Sequence, residues 1–205
     1  ASSPVQSSEI HYLFQKTALE VCEGQSMDMA FETKLEVSQS DYLEMIKLKT
    51  AVLVGCALKI GAMVGGASKK NAQLLYDFGI NLGIAFQIHD DILDVFPTKE
   101  VFGKQIGGDI LEKKKTILLI DLLEKSSDDE KVSLFKIIDS EDISDSLKVN
   151  KIKEMYKINN VLETAQKKKI FYYKKALYNI QKLEIDLSRK NQLNEFAKNL
   201  MNRMY

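Results

Sequence analysis

The sequence predicts an all-α fold, an antiparallel bundle of helices in a single domain that covers residues 1–205. Hydrophobic residues make up 45% of the chain, which is enough for one substantial core. Only two prolines interrupt 205 residues, and apolar residues recur at helical spacing along most of the chain. Because a helix with one apolar face must bury that face against another element, these three observations favour helices packed on helices.

The charge balance excludes a protein-wide attraction to nucleic acid or to an anionic membrane. Basic and acidic residues number 29 each, so any basic site must be local. The most apolar segment, residues 50–68, is interrupted by Lys59 and rich in small residues, which indicates a core helix rather than a membrane span. Cys22 and Cys56 lack CxxC spacing, and the N-terminal residues lack the pattern of a signal peptide. We therefore expect reduced core thiols and a cytoplasmic protein.

The first two predicted helices carry polar residues that could face a ligand. Gln25 and Asp28 lie three residues apart near the end of the first helix, so both can point the same way. An ordinary polar face on a surface helix explains them equally well. Residues 38–41 offer N-caps for the second helix, which carries Lys49 and Thr50 where the sequence turns apolar. That lysine could simply extend from the edge of the core.

Glycines are dense in the continuation of the second helix, at Gly55, Gly61, Gly65 and Gly66. Each costs a helix about 1 kcal/mol relative to alanine. Their density therefore predicts that another helix or a ligand approaches closely. Ser68 then caps the next helix.

A stripe of polar residues follows on that next helix. Its members Gln87, Asp90, Asp91 and Asp94 are spaced i, i+3, i+4 and i+7, whereas most other positions are apolar. Unpaired carboxylates in a dry interior would be very costly, so the stripe is expected to face solvent, cations or a water-filled cavity. His89 lies off the stripe, and we expect it to be a packed or surface residue.

A glycine-containing loop with Lys104 leads from this helix to a new one, predicted to begin near Asp109. Asp109 and Glu112 have the spacing of a capping box. Residues 113–115 are all lysine and are predicted to lie in the first turns, where helix N–H groups attract phosphate. Two interpretations stay open. The charges form a solvated face, or the carboxylates hold divalent metal while a polyphosphate lies between metal and lysines.

The remainder of the chain is predicted to be supporting helices. Ser126 and Ser127 cap one of them. Residues 139–145 carry regularly spaced acids but lack the glycine and final glutamate of a calcium loop, so we expect a connecting turn. Helices are predicted over 161–185 and 192–205.

The motifs FQIHDDILD and FGKQIGGDILEKKKT resemble the second aspartate-rich motif and the following lysine loop of the trans-isoprenyl diphosphate synthases, also called polyprenyl synthetases. The resemblance runs from Gln25 to Arg203 and corresponds to the C-terminal two-thirds of such a synthase. It implies an isoprenoid synthase bundle that lacks its N-terminal helices. The family's first DDxxD motif is not present in the sequence, so we expect the 205-residue chain alone to be inactive.

The resemblance implies Mg²⁺-dependent head-to-tail condensation of isopentenyl diphosphate with an allylic diphosphate. The products would be short- to medium-chain trans-polyprenyl diphosphates of the farnesyl or geranylgeranyl type, and three Mg²⁺ ions are expected. By motif position, Asp90 would bind metal directly, and Asp91 and Asp94 would orient metal-bound water and lysines. The residues implied to bind substrate are Gln25, Lys49, Thr50, Gln87, Lys104 and Lys114, of which Lys49, Lys104 and Lys114 would be catalytic.

The resemblance also implies a homodimer that pairs through residues 9–66. Three other interpretations remain. A non-catalytic subunit or diphosphate-binding fragment would bind the ligand without turning it over. A class I terpene cyclase would carry an NSE-type second metal motif, which we do not find in the sequence. A purely structural helical bundle would bind neither metal nor pyrophosphate.

Overall fold

A computed structural model describes residues 4–34, 36–97 and 106–202, and throughout these ranges the regular structure is helical. The predicted all-α fold is therefore confirmed. The helices are α1 (Pro4–Thr33), α2 (Gln39–Ile46), a π-helical segment (Lys47–Ala51), α3 (Val52–Val64), α4 (Lys69–Val95), α5 (Gly108–Leu111), α6 (Ile117–Lys125), α7 (Asp128–Asp139), α8 (Asp145–Ile158), α9 (Val161–Lys182) and α10 (Leu187–Met201).

The described residues form two compact units. The first unit contains residues 4–28, 43–87 and 169–202. The second contains 29–34, 36–42, 88–97 and 106–168. That residues 1–205 make one domain stays a prediction.

The core of the first unit brings together α4, α9 and α10. Its fully enclosed side chains are apolar, and larger apolar residues such as Leu74 and Tyr173 pack around them. Burial of this apolar surface is the main contribution that holds the three helices together. The enclosed residues are Phe78, Leu82, Ala176, Ile180, Leu183 and Ala197.

Two glycines let neighbouring helices approach the π-helical segment of the first unit. A Cβ built on Gly24 of α1 would lie 2.2 Å from the backbone nitrogen of Lys49. A Cβ on Gly83 of α4 would lie 2.7 Å from the Cα of Ala51. Because real Cβ atoms do not approach backbone this closely, only glycine fits at either position.

The close approach predicted from glycine density is confirmed at one of the four positions. Gly55 is met by Gly79, where an added Cβ would lie 2.7 Å from the Cα of Gly55. A Cβ on Gly61 would meet nothing within 4 Å. Gly65 and Gly66 lie in the turn that ends α3, and Gly66 has a φ of 78°. At that left-handed φ the backbone itself favours glycine.

Polar contacts around one buried carboxylate join α2, α6 and α9 in the second unit. The buried carboxylate of Asp121 accepts hydrogen bonds from Lys125 Nζ at 2.7 Å and from Gln39 Nε2 at 3.3 Å. Lys125 also donates to Thr164 Oγ1 at 2.8 Å, and Lys168 donates to Gln39 Oε1. These bonds compensate the desolvation of a buried charge.

The local capping signals are largely confirmed. Ser127 and Glu130 form the capping box of α7, and Ser68 accepts a hydrogen bond from the Asn71 N–H at the start of α4. Residues 140–144 connect α7 to α8, within the turn expected over 139–145. Cys56 is buried, but Cys22 is exposed, so the prediction of two core thiols is wrong for Cys22. Over the described ranges, no helix is long and apolar enough to span a membrane.

A helix begins at Gly108, which confirms the predicted start near Asp109, but it ends at Leu111 instead of continuing. The chain forms the short α5 and then α6, and Lys113 between them has a left-handed φ of 57° that breaks the helix. Thr116 then caps α6 by accepting a hydrogen bond from the Leu119 N–H. The capping box predicted from Asp109 and Glu112 is not formed, because Gly107 is the N-cap of α5.

Gly24→Ala is expected to lower the free energy of unfolding by at least about 2 kcal/mol, because the new methyl group collides with backbone of the π-helical segment. Gly61→Ala is the matched control. Its Cβ would meet nothing, so the variant should gain up to about 1 kcal/mol from higher helix propensity. Chemical denaturation of both variants measures the difference. Equal stability would contradict the assigned approach of α1 to Lys49.

Candidate functional site

The first unit brings together two of the polar residues that the sequence singled out. Lys49 Nζ lies 2.6 Å from Asp28 Oδ2, with both side chains about one-third exposed. Lys49 and Thr50 belong to the π-helical segment, a rare conformation that occurs frequently at functional sites. Gln25 is exposed on α1, one turn before Asp28. The sequence did not predict the π-helical segment.

Asp91 departs from the predicted polar stripe. Its side chain is only 7% exposed, and its Oδ2 accepts hydrogen bonds from Tyr42 Oη at 2.6 Å and from the Ile117 N–H at 3.0 Å. Burial raises the pKa of Asp91 to about 7, although both hydrogen bonds oppose the rise. The expectation that every acid of the stripe avoids the interior is therefore wrong for Asp91.

Asp94, near the end of α4, contacts the start of α5 through both its side chain and its main chain. Its Oδ2 accepts a hydrogen bond from the Asp109 N–H at 3.1 Å, and its main-chain carbonyl accepts one from the Gly107 N–H at 2.8 Å. Gly107 has a φ of 75°, and a Cβ there would lie 2.7 Å from Val149 Cγ1. Asp94 thus satisfies an N–H group at the start of α5.

Asp90 differs from its two companions. It is half-exposed on α4, and within the described part of the chain no hydrogen bond or ion pair to its carboxylate is found. Among the same residues, no group of three or more His, Cys, Asp or Glu side chains could hold a metal ion by itself. Asp90 is therefore the acid of this helix whose oxygens are open to a ligand.

The lysine segment precedes α6 rather than opening it. Lys114 Nζ lies 2.8 Å from Asp109 Oδ1 and 2.9 Å from Glu112 Oε2, and these hydrogen bonds raise the pKa of Lys114. Burial lowers the pKa of Lys115, which is half-buried. Lys113 pairs with Asp139 of α7. Each exposed lysine of this segment therefore already has a carboxylate partner.

Gln87 and Lys104 are the two remaining residues that were predicted to bind substrate. Gln87 is half-buried on α4, and Lys104 lies outside the described residues. The sequence reasoning missed Tyr42, which is buried and contacts Asp91 from 49 positions away. A buried tyrosine hydroxyl needs a partner. A signal for the burial of Tyr42 was present, because it lies three and four residues before the apolar Met45 and Ile46, which are also buried.

Comparison with known proteins gives one family throughout. Residues 2–158 match the profile described as polyprenyl synthetase. A short chain isoprenyl diphosphate synthase of Methanothermobacter thermautotrophicus is 44% identical over 126 residues, which are 62% of this chain and 39% of that protein. A crystal structure of a geranylgeranyl pyrophosphate synthase superposes with a TM-score of 0.88 at 41% identity, over 99% of this chain and 63% of that one.

A third comparison concerns ligands. The crystal structure of a polyprenyl synthase from Caulobacter crescentus CB15, complexed with calcium and isoprenyl diphosphate, superposes with a TM-score of 0.83 at 26% identity. The alignment covers 96% of this chain and 60% of that one. The chain thus spans less than two-thirds of the length of each of these three proteins.

Replacing Asp94 with alanine is expected to lower the stability of the protein more than replacing Asp90 with alanine. Asp94→Ala removes the acceptor for the Asp109 N–H, and loss of a capping interaction costs about 1 kcal/mol. Asp90→Ala removes no contact to the described protein, so we expect a change within about 0.5 kcal/mol. Urea denaturation of the two variants provides the measurement. A larger loss at Asp90 than at Asp94 would contradict the geometry given above.

Proposed function

Since the chain belongs to the polyprenyl synthetase family, we propose that it takes part in head-to-tail prenyl transfer. The reaction joins isopentenyl diphosphate to an allylic diphosphate and gives a trans-polyprenyl diphosphate of short to medium length. The names of the similar proteins, a short chain isoprenyl diphosphate synthase and a geranylgeranyl pyrophosphate synthase, support this product range. We place the protein in the cytoplasm.

The observation that carries the proposal is that the Asp90 carboxylate has no hydrogen-bond partner among the described residues. A carboxylate on a largely buried helix normally has protein donors, and Asp91 and Asp94 have them. Asp90 is half-exposed and has none in the described part of the chain. An acid kept open at the first position of a DDxxD motif is suited to binding a cation.

Mg²⁺ fits this donor set. It is a hard cation that is bound in proteins by one or two carboxylates together with substrate phosphates and water, rather than by a complete protein cage. The acids of α4 offer carboxylate oxygens, and no larger metal-binding group is found among the described residues. We assign Asp90 as the direct ligand, with Asp91 and Asp94 in support and three ions in the complete enzyme. Bound Mg²⁺ stabilises the negative charge that develops on departing pyrophosphate.

The residues that we propose to bind the diphosphates are Gln25, Lys49, Thr50, Gln87, Lys104 and Lys114. Two of these cations are at present paired with acids, Lys49 with Asp28 and Lys114 with Asp109. Because both pairs are partly exposed, they contribute only about 0–1 kcal/mol each. A diphosphate can replace such a partner with a charge-assisted hydrogen bond of its own. The lysines thereby hold the leaving group in place while its charge grows.

We also propose that the protein is a homodimer through α1. This helix exposes large apolar side chains at Tyr12 (70% exposed) and Leu19 (67% exposed), seven residues apart and thus on one face. Exposed apolar surface in a contiguous patch is typical of an interface.

The site assignment predicts how ligand-dependent stabilisation is lost. Mg²⁺ with pyrophosphate should raise the melting temperature of the wild type, because a ligand that binds only the folded state stabilises it. Asp90→Ala and Lys114→Ala should each lose much of that increase. In the protein at its full natural length, each should also lower turnover by about two orders of magnitude or more, as loss of one preorganised electrostatic contact does.

Lys151→Ala on α8 and Asp129→Ala on α7 are the matched controls, since both side chains are exposed and lie outside the proposed site. Both should keep the full shift in melting temperature. Identical shifts in the wild type and in the Asp90 and Lys114 variants, with turnover intact, would falsify the site assignment.

The dimer is tested by light scattering. The wild type should have twice the mass of the chain, and Leu19→Glu should shift it towards monomer because it places a charge in the apolar face of α1. Phe196→Glu on α10 is a control with a similarly exposed apolar side chain on another helix. A wild type that stays monomeric at high concentration would count against the dimer.

A further inference from the structure

Asp91 is held by two other helices through one oxygen atom. The Tyr42 hydroxyl at the middle of α2 and the Ile117 N–H at the first position of α6 both donate to Oδ2 of Asp91. The Tyr42 side chain is itself buried. A buried acceptor that receives two donors from separate elements fixes both elements relative to its own helix.

This arrangement gives adjacent acids of the motif different tasks. Successive residues of an α-helix point about 100° apart, so two adjacent acids of one polar stripe can meet different surroundings. Asp91 is buried with both donors on one oxygen, whereas Asp90 is half-exposed with no partner in the described ranges. The protein therefore already uses one of the two oxygens of Asp91, Oδ2, to hold α2 and α6.

The hydrogen bond from the Ile117 N–H to Asp91 also affects the position of the lysine segment, residues 113–115, which lies just before Ile117. The first N–H groups of a helix have no partner within the helix and attract negative charge. Asp91 Oδ2 accepts the hydrogen bond of one such N–H of α6, and the chain just before α6 carries Lys114. Fixing the first residue of α6 therefore fixes the point from which the lysine segment extends.

We propose that Tyr42 is a positioning residue that acts through Asp91, the acid already assigned a supporting role. The pair sets the rotation of α4 that presents Asp90 and anchors the start of α6 that follows Lys114. This inference rests on the proposed prenyl transfer, in which both of those side chains act on the substrate.

The test uses the protein at its full natural length with Tyr42→Phe, Asp91→Asn and Asp91→Ala. Tyr42→Phe is expected to lower kcat about tenfold, and Asp91→Ala about a hundredfold, because small displacements of catalytic groups have effects of this order. Asp91→Asn keeps an oxygen acceptor and should recover part of the loss. The double variant Tyr42→Phe/Asp91→Ala should fall within about twofold of Asp91→Ala, since the two residues share one interaction.

A second readout separates positioning from metal binding. The Mg²⁺ concentration that gives half of the thermal shift with pyrophosphate should stay within about twofold of wild type in Tyr42→Phe and Asp91→Asn. Asp90→Asn, which alters the proposed ligand, should raise it about tenfold or more. Tyr178→Phe, an exposed tyrosine on α9, is the control for loss of a hydroxyl and should match wild type in every readout.

Two results would overturn the inference. One is an increase in the required Mg²⁺ in Asp91→Asn as large as that in Asp90→Asn, because Asp91 would then bind the metal. The other is a wild-type kcat in Tyr42→Phe, which decides the matter even if the Asp91 variants do not fold. Failure of the proposed function is distinct, since the wild type itself would then show neither thermal shift nor turnover, and the positioning role would fail with it.

Discussion

The buried carboxylate of Asp91 is the constraint on which the second unit depends. A charge removed from water is tolerated only where hydrogen bonds replace its hydration. Asp91 therefore requires that Tyr42 of α2 and the first N–H of α6 reach it at the same time. The same requirement recurs at Asp121, whose buried carboxylate needs Lys125 and Gln39. Two buried acids thus fix how α2, α4 and α6 meet in this unit, and apolar packing fills the space between them.

In the first unit the corresponding constraint is steric. Gly24 and Gly83 let backbone approach the π-helical segment more closely than any side chain would permit. A π-helical turn loses regular α-helical hydrogen bonding, so it persists where the surrounding packing determines it. The segment carries Lys49 and Thr50, and Lys49 is further held by Asp28. Close packing therefore fixes the backbone of these residues, while their polar ends stay partly exposed.

The sequence predicted the helices and caps that depend on neighbouring residues. It did not predict contacts between residues that are far apart in the chain. Helical spacing and the shortage of proline predicted the all-α fold. The capping box of α7 was predictable because Ser127 and Glu130, its two residues, lie within four consecutive positions. The break between α5 and α6 was missed because Lys113 has no intrinsic preference for its left-handed φ. The role of Asp91 was missed because its donors, Tyr42 and Ile117, lie 49 and 26 positions away. Helical spacing places Asp91 on the same stripe as Asp90, but it does not say what each side chain meets.

Charge pairing shows how a neutral chain can hold a polyanion. Among the described residues, Lys49 is paired with Asp28, and Lys114 is paired with Asp109 and Glu112, so each of these two cations lies beside a neutralising acid. Exposed pairs of this kind contribute about 0–1 kcal/mol each, and a lysine that leaves its carboxylate for a phosphate oxygen keeps a charge-assisted hydrogen bond. Exchange of a carboxylate for a phosphate oxygen is therefore close to neutral or favourable at each lysine. Asp91 is excluded from this exchange because its partners are a hydroxyl and a backbone N–H inside the protein. The acids beside the lysines can release them to a diphosphate, while the buried acid keeps α4 in place.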